Sequence, residues 1–196
     1  MQLALFDFDR TLTRCDTYAR FLRAVATPSQ LAQAHWTVGP WLLGYRAGLV
    51  SAARMRARAT RVALAGRCAA MLAARAEDYA ANELPRLSRP GMMERLAWHR
   101  DQGHRIALVS GSLDLYLRPW CAQHGQELIC NRLEAVDGAV TGRYAGGDVG
   151  ARKAVEIARH LQLPDYTRIH AYGDSREDRG MLALAHERWY RGRRVA

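Results

Sequence analysis

Three short, largely apolar runs that each stop at polar residues are the feature that most constrains the fold of this chain. They lie at residues 2–8, 105–109 and 168–172, and longer segments with helical spacing separate them. Runs of this length are too short for a buried helix and are typical of strands covered on both faces. Strands that alternate with helices predict an α/β fold with a parallel sheet.

The segment between the first two predicted strands departs from this alternation. From Arg14 to about Leu87, alanine, leucine and arginine dominate, and nothing alternates with a period of two residues. That pattern predicts an all-helical insertion. Further along the chain, residues 133–144 predict a hairpin that turns at Asp137-Gly138, and a last helix is expected from near Arg176.

The charge of the chain indicates an anionic partner. Its 196 residues include 29 lysines and arginines against 19 aspartates and glutamates, which gives a net charge of +10. Such a balance favours a phosphorylated substrate, a nucleic acid or a lipid surface as the partner. The sequence contains no signature of an RNA-binding, zinc-finger or helix-turn-helix module, so a nucleic acid is not expected.

Lysine is present once in the sequence, as Lys153, and the other basic residues are arginines. The two residue types replace each other readily on a solvated surface. They do not where chemistry needs the compact point charge of an ammonium group. Lys153 is therefore a candidate functional residue.

Polar residues follow three predicted strands at the point where each strand ends. Because ligands of open α/β sheets bind beyond the carboxyl ends of the strands, we expect these side chains to meet. Asp7 and Asp9 can reach one small volume, and their repulsion raises a pKa unless a cation lies between them. Asp7 with Asp174 predicts a Mg²⁺ site, since Mg²⁺ takes carboxylates, carbonyls, waters and phosphate oxygens. The residues concerned are Asp7, Asp9, Ser110, Asp174 and Asp178, with Lys153 at the start of the preceding helix.

Four segments of the sequence, in this order, resemble the motifs of the haloacid dehalogenase superfamily. They are FDFDRTLT at residues 6–13, LVSGS at 108–112, Lys153, and GDSREDRGML at 173–182. The helical insertion between the first two motifs resembles the phosphoserine-phosphatase-like branch, subfamily IB, which carries a helical C1 cap. The resemblance implies a Rossmann-like core formed by residues 1–14 and 88–196, with a helical cap at residues 15–87 that closes over the site.

The same resemblance implies a chemistry, namely Mg²⁺-dependent hydrolysis of a phosphate monoester through an aspartyl-phosphate intermediate. Asp7 would be the nucleophile and Asp9 the general acid and base. An acid at the position of Asp9 is typical of the phosphatases and phosphotransferases of the superfamily, whereas its dehalogenases lack one.

The remaining roles implied by the resemblance concern the metal and the phosphoryl group. Mg²⁺ would be held by Asp7, Asp174 and the backbone carbonyl of Asp9. Asp178 would orient the metal site without binding the ion directly. The phosphoryl group would be bound and oriented by Ser110, Gly111 and Lys153.

Two cap residues bear on the substrate by the same resemblance. Asp16 and Arg61 lie near the positions of the glutamate and arginine with which the phosphoserine enzymes bind the amino and carboxylate groups. Asp16 is one methylene shorter than that glutamate, and Glu177 stands where those enzymes have an asparagine. The expected substrate is therefore a small phosphorylated molecule, phosphoserine-like or another.

The composition of the predicted cap keeps two alternatives open. Residues 17–76 contain nine arginines and no acidic residue, with Trp36, Trp41 and Tyr45 in an apolar stretch. A basic face beside such aromatic residues is typical of peripheral contact with anionic membranes. The layout also resembles phosphatidylglycerophosphate phosphatases of the same superfamily. The alternatives are a lipid-phosphate phosphatase at the membrane surface and a non-catalytic basic binding protein.

The cysteines and histidines gave no site. Cys15, Cys68, Cys121 and Cys130 form no CxxC pair, which predicts reduced thiols in a cytoplasmic protein. The first residues predict a strand and not a signal peptide, and no transmembrane helix is expected. The seven histidines show no metal-ligand spacing and are assigned no role. The oligomeric state is left open.

Overall fold

The structure is a computed structural model that describes residues 1–195. Across these residues, seven strands form one sheet in the order β4-β3-β2-β1-β5-β6-β7. The outermost pairs, β3 with β4 and β6 with β7, are antiparallel, and the other neighbours are parallel. The strands are β1 (Gln2–Phe6), β2 (Arg105–Leu113), β3 (Glu127–Val136), β4 (Ala139–Ala145), β5 (Arg168–Gly173), β6 (Glu187–Tyr190) and β7 (Arg193–Val195). The predicted α/β fold with a parallel-dominated sheet is confirmed.

Helices account for the segment between β1 and β2 and for most of the connections that follow. The first group is α1 (Thr17–Val25), α2 (Pro28–Thr37), α3 (Gly39–Arg46), α4 (Ala52–Leu64), α5 (Ala69–Asn82) and α6 (Leu84–Leu87). The second group is α7 (Pro90–Asp101), α8 (Asp114–His124), α9 (Lys153–His160) and α10 (Arg179–Ala183). The first group lies within the predicted cap, and "cap" below means residues 15–87.

The alternating faces of β1 explain its central position. Ala4 and Phe6 belong to one apolar cluster, and Leu3 and Leu5 belong to the cluster on the other face of the sheet. A strand whose side chains are buried on both faces must lie between two covering layers. β1 pairs with β2 on one side and β5 on the other, so the residues that follow it project from the middle of the sheet.

The cap packs directly on the core. Phe21 of α1 and Tyr79 of α5 contact Tyr116 of α8, with ring centroids 4.9 and 5.5 Å apart. The two ends of the cap segment are also held together. The amide of Arg14 donates to the carbonyl of Leu87 at 2.8 Å, so the chain leaves and re-enters the core side by side.

The expected last helix is present but short, and two strands that the sequence did not indicate follow it. A short 3₁₀ turn at Arg176–Asp178 leads into α10, which has five residues, and the chain then forms β6 and β7. β6 pairs in parallel with β5 and extends the sheet, a tertiary interaction that local helix propensity does not reveal. The predicted hairpin is confirmed, with Asp137 and Gly138 at φ values of 49° and 75° in its turn.

Two further expectations concern the cysteines and the membrane. The four cysteines carry free thiols. Among residues 1–195, the helices are all too short or too polar to span a bilayer.

Candidate active site

The chain reverses sharply after β1, and this turn brings Asp7 and Asp9 to the same cavity. The amide of Asp7 donates to the carbonyl of Tyr172 at 2.9 Å, which continues the pairing with β5 by one residue. Asp9 is extended, at φ −66° and ψ 128°, and Arg10 then takes a left-handed conformation at φ 60°. A positive φ is strained for a residue with a side chain and persists where the surroundings impose it. Asp7, Asp9 and Arg10 all line the cavity.

Lys153 lies between two aspartates at the bottom of the cavity. Its ammonium group donates to Oδ1 of Asp7 and, at 2.7 Å, to Oδ1 of Asp178. The side chains of Lys153 and Asp178 are 2% and 0% exposed. An ammonium group buried this deeply is tolerated because it is paired with carboxylates on both sides.

Asp178 connects Lys153 to the loop after β5. Its Oδ2 accepts the amides of Asp174 and Ser175, at 3.0 and 2.7 Å. A Cβ added at Gly173 would lie 2.5 Å from the Cβ of Asp178, so the close approach depends on glycine. Burial acts to raise the pKa of Asp178, but Lys153 and Ser175 outweigh it and hold that pKa below its ordinary value.

A carboxylate oxygen from each of Asp7, Asp174 and Asp178 lies within 4.8 Å of the others. Burial raises the pKa of Asp7 to about 8 against the opposing effect of Lys153, and the Asp178 and Asp9 carboxylates add to the rise. Burial also raises the pKa of Asp174. Three carboxyl groups therefore lie close to a single ammonium group, so negative charge is in excess here when they are ionised. Hard oxygen donors with excess negative charge fit Mg²⁺.

Asp9 is held by groups from both the cap and the core. Its Oδ1 accepts the amide and the hydroxyl of Thr17, at 2.5 and 2.6 Å, in the first turn of α1. Its Oδ2 accepts the hydroxyl of Ser112, which lies near the end of β2. Burial raises the pKa of Asp9 to about 6, and the nearby carboxylate of Asp16 adds to this rise. A carboxyl group with such a pKa can both release and accept a proton near neutral pH.

Ser110 and Gly111 form the wall next to these aspartates. The hydroxyl of Ser110 accepts the amide of Ser112 at 3.1 Å. A Cβ added at Gly111 would lie 3.1 Å from Cζ of Arg56 and 3.2 Å from Cα of Gly150, so the backbone passes close to both. The structure thus brings Asp7, Asp9, Ser110, Gly111, Lys153 and Asp174 to one cavity, with Asp178 directly behind them.

Of the two cap residues proposed from the sequence, only one lines the cavity. Asp16 lines the cavity, and its carboxylate caps α1 by accepting the amide of Ala19 at 2.9 Å. Arg61 is not brought to the site, which corrects the expectation. It is exposed on α4, whose backbone here packs against β4, where a Cβ at Gly142 would lie 2.8 Å from Cα of Arg61.

Arg56, which sequence reasoning did not single out, connects the cap to the core. Its guanidinium donates to both carboxylate oxygens of Asp148, at 2.9 and 2.7 Å, and to both of Glu177, at 2.8 Å each. The Arg56 side chain is 15% exposed. Asp148 and Glu177 lie in two different core loops, so these bonds hold α4 over the cavity. The sequence did contain one clue to Arg56. Glu177 is an unexpected acid beside the predicted site, and an acid there needs a basic partner.

The cavity has a volume of about 580 Å³ and two unlike walls. The core supplies the polar wall of aspartates, serines and Lys153 described above. The cap supplies a mostly apolar wall that extends well past the reach of a phosphate group. Its apolar lining consists of Ala19, Leu22, Ala26, Leu31, Ala34, Val38, Leu42, Ala52, Met55, Ala59, Val62 and Ala63. The polar cap side chains on the same wall are Asp16, Tyr18, Arg23, Gln30, His35, Tyr45 and Arg56.

The chain belongs to the haloacid dehalogenase-like hydrolases, because the model of that family matches residues 4–183. It is 32% identical to Protein CicA of Caulobacter vibrioides, over 96% of this chain and 85% of that protein.

Solved structures resemble the fold over nearly the whole chain. A protein of unknown function from Bordetella pertussis Tohama I is 25% identical, with a TM-score of 0.81, over 95% of this chain and 88% of that chain. A substrate-bound phosphoserine phosphatase complex has a TM-score of 0.69 and 19% identity, over 96% and 84% of the two chains.

Proposed function

We propose that this hydrolase removes the phosphoryl group from a phosphate monoester through a covalent intermediate on Asp7. The observation that carries the proposal is that two neighbouring carboxyl groups have different environments. Asp7 is paired with Lys153, whereas Asp9 is held by Thr17 and Ser112 and has a pKa of about 6. Neighbouring carboxyl groups with different environments are suited to different catalytic roles.

In the first step, a carboxylate oxygen of Asp7 attacks phosphorus, and the bond from phosphorus to the ester oxygen breaks. Asp9 donates its proton to the departing oxygen, so that an alcohol leaves instead of an alkoxide. In the second step, water attacks phosphorus and gives its proton to Asp9. Asp7 then leaves as a carboxylate, and inorganic phosphate is the second product.

The residues around Asp7 fit the supporting roles. Mg²⁺ would be held by Asp7, Asp174 and the backbone carbonyl of Asp9, where its charge would favour the ionised form of Asp7 and neutralise the phosphoryl oxygens. Lys153 balances the charge of Asp7 and orients its attacking carboxylate. Asp178 positions Lys153 and the Asp174 loop through its two oxygens.

The phosphoryl group would lie against Ser110 and Gly111, whose backbone and hydroxyl face the cavity. We further propose that residues 15–87 move as a unit relative to residues 1–14 and 88–196. The paired backbone at Arg14 and Leu87 supports this boundary. Opening would admit substrate, and closure through Arg56 would exclude bulk water from the aspartyl-phosphate.

A second candidate is favoured by the apolar cap wall, namely a phosphate monoester that carries a lipid-like group. The cavity offers far more apolar surface than phosphoserine needs. Several large apolar side chains of the cap are also exposed, with Trp36 at 79% and Leu49 at 82%. Exposed aromatic and aliphatic groups beside arginines fit peripheral contact with an anionic membrane. The others are Leu31, Trp41, Leu43, Tyr45 and Met71.

The test is release of inorganic phosphate from p-nitrophenyl phosphate, phosphoserine and a series of alkyl phosphates of increasing length. Each is assayed with Mg²⁺, with EDTA, and with an Asp7→Asn variant. Turnover that needs Mg²⁺ and is lost in the variant would support the proposed chemistry. A kcat/KM that rises with alkyl length would favour the lipid-like substrate, and a preference for phosphoserine would favour the small polar one.

Absence of turnover with every substrate would contradict the proposal and favour a basic binding protein. Flotation with vesicles of anionic lipid, beside neutral vesicles, then tests the cap surface directly.

A further inference from the structure

Three histidines from separate parts of the chain meet on one face of the sheet. His99 lies near the end of α7, His104 immediately precedes β2, and His170 lies on β5. One ring nitrogen of each lies within 4.8 Å of one from each of the others. His99 and His170 are buried, and His104 is half-buried. We call these three residues the histidine cluster.

The imidazoles are oriented by specific hydrogen bonds. Nδ1 of His99 lies 2.8 Å from Nδ1 of His104, so one of the two nitrogens donates and the other accepts. The second nitrogen of His99 bonds the hydroxyl of Tyr172 at 2.8 Å. Nε2 of His170 lies 2.8 Å from Oε1 of Gln2, and its Nδ1 lies 3.5 Å from the carboxylate of Glu187. Outer hydrogen bonds of this kind orient the imidazoles that ligate metals.

We propose that His99, His104 and His170 form a binding site for a transition-metal dication such as Zn²⁺, separate from the carboxylate site for Mg²⁺. Imidazole nitrogens suit Zn²⁺, Cu²⁺ and Ni²⁺, whereas Mg²⁺ prefers oxygen. Three protein ligands leave a further position for water or for the nearby carboxylate of Glu187. The half-buried His104 gives the ion a path from solvent.

The spacing of the nitrogens is compatible with such an ion. Zn–N bonds of about 2.0–2.1 Å in a tetrahedral site separate the ligand nitrogens by roughly 3.3 Å. The distance between His99 and His104 is slightly shorter than this, and the distances to His170 fall within 4.8 Å. Binding would require the His170 ring to move closer and to free one nitrogen from Gln2 or Glu187. The proton between the two Nδ1 atoms would move to the other nitrogen of the ring that carries it, so that both Nδ1 atoms face the ion.

The simpler explanation is that the three rings are ordinary core packing. Packing alone, however, does not require Nδ1 of His99 to meet Nδ1 of His104 with a nitrogen of His170 within 4.8 Å of both.

A bound ion would fasten three elements to one another. It would connect α7, the residue before β2, and β5, and β5 ends at the loop that carries Asp174. His170 precedes Gly173 by three residues, which corresponds to about 10 Å of strand. The ion would thus act as a structural tie beneath the catalytic cavity and take no part in the reaction.

The test uses the full chain without an affinity tag, stripped with EDTA and returned to buffer with excess Mg²⁺. Zn²⁺ is titrated calorimetrically, and thermal unfolding is followed with and without the ion. We expect one Zn²⁺ per chain and a rise of roughly 5–10 °C in Tm at a hundredfold excess over Kd. Co²⁺ serves as a spectroscopic probe, because nitrogen and sulfur ligands give different absorption bands.

The variants are His104→Gln, His170→Gln and, as the matched control, His160→Gln, which alters an exposed histidine on α9. Loss of a ligand should weaken Zn²⁺ binding at least about tenfold in the first two, and the control should bind as the unaltered chain does. His104→Gln removes a half-buried ring and decides the matter even where His170→Gln fails to fold.

Three results would overturn the proposal. They are failure to bind Zn²⁺ stoichiometrically, unchanged affinity in His104→Gln, and a Co²⁺ spectrum with thiolate bands, which would place the metal on cysteines.

Discussion

Two buried polar clusters in this protein are stabilised in different ways, one by charged pairs and the other by neutral hydrogen bonds. At the carboxyl end of the sheet, aspartates surround Lys153 and are stabilised by ion pairs and hydrogen bonds. In the histidine cluster, the rings are neutral and satisfy one another. An excess of negative charge can be offset by a hard cation, whereas neutral nitrogens present lone pairs to a softer one. The same sheet thus supports two kinds of polar chemistry.

Removing the ammonium group of Lys153 should have the largest effect on activity and stability. Lys153→Met leaves Asp7 and Asp178 buried without their ammonium partner, which costs about 3–5 kcal/mol of stability for a broken buried pair. We expect kcat to fall at least about a thousandfold, since Asp7 loses the charge that orients it. Phosphate release and urea unfolding measure the two effects separately.

Lys153→Arg is the matched control, because it keeps the charge but not the compact shape. Since the Lys153 side chain is 2% exposed, the larger guanidinium should not fit, and activity should stay low. Full activity in either variant would contradict the role given to Lys153.

The two clusters also show what could be predicted from sequence. The aspartates follow strands, so the strand pattern alone places them at one edge of the sheet. The histidine cluster joins residues 99, 104 and 170 through the packing of α7 on β5, and sequence spacing carries no trace of that contact. Sequence spacing therefore assigned the histidines no role, whereas the structure brings three of them together.

The cap likewise has one feature that the sequence predicts and one that only the structure shows. The composition of residues 15–87 predicts helices, but it does not predict which arginine faces the cavity. Arg56 and Arg61 lie on the same helix, five residues apart, and only the packing of α4 against β4 distinguishes them. β6 was missed for the same reason, because it becomes a strand by pairing with β5.

The next prediction concerns closure of the cap. Arg56→Gln removes the bonds from the guanidinium to Asp148 and Glu177. We expect a net loss equal to about one charged hydrogen bond, about 1.5–3 kcal/mol, because water and the glutamine amide replace the others, so the closed state should become about 10–100-fold less populated relative to the open state. We expect kcat/KM to fall by a similar factor, mainly through KM, in steady-state assays.

Arg54→Gln, an exposed arginine on the same helix, is the control and should leave kcat/KM unchanged. A fall in kcat with constant KM in Arg56→Gln would show instead that the arginine acts in the chemical step.

The clusters should respond to pH with opposite signs in the metal-free protein. His99 has a pKa of about 3 in the folded state, with Arg95, His104, His170 and Tyr172 around it, and about 6.5 when unfolded. The unfolded state binds the proton more readily, so this group costs stability as pH falls below about 6.5. Asp7 has a raised folded pKa of about 8, so its contribution is lost as pH rises towards that value.

Asp7→Asn removes the contribution of Asp7 to the pH dependence of stability and leaves that of His99. Its free energy of unfolding, compared with that of the unaltered chain, should rise with pH between about 4 and 8, by up to about 1.4 kcal/mol per pH unit. Urea unfolding in EDTA across this range measures the difference. A constant difference would mean that Asp7 is ionised throughout in the folded protein.

The smallest effect is expected at Arg61. Since its side chain is exposed and outside the cavity, Arg61→Ala should change kcat/KM by less than about twofold, as surface substitutions usually do. Asp16→Asn is the informative partner, because Asp16 lines the cavity and lies close enough to Asp9 to influence its pKa. Comparing both variants on phosphoserine and on a long alkyl phosphate separates the two substrate classes. A loss at Arg61 confined to phosphoserine would show that α4 turns during binding and that the polar substrate is the physiological kind.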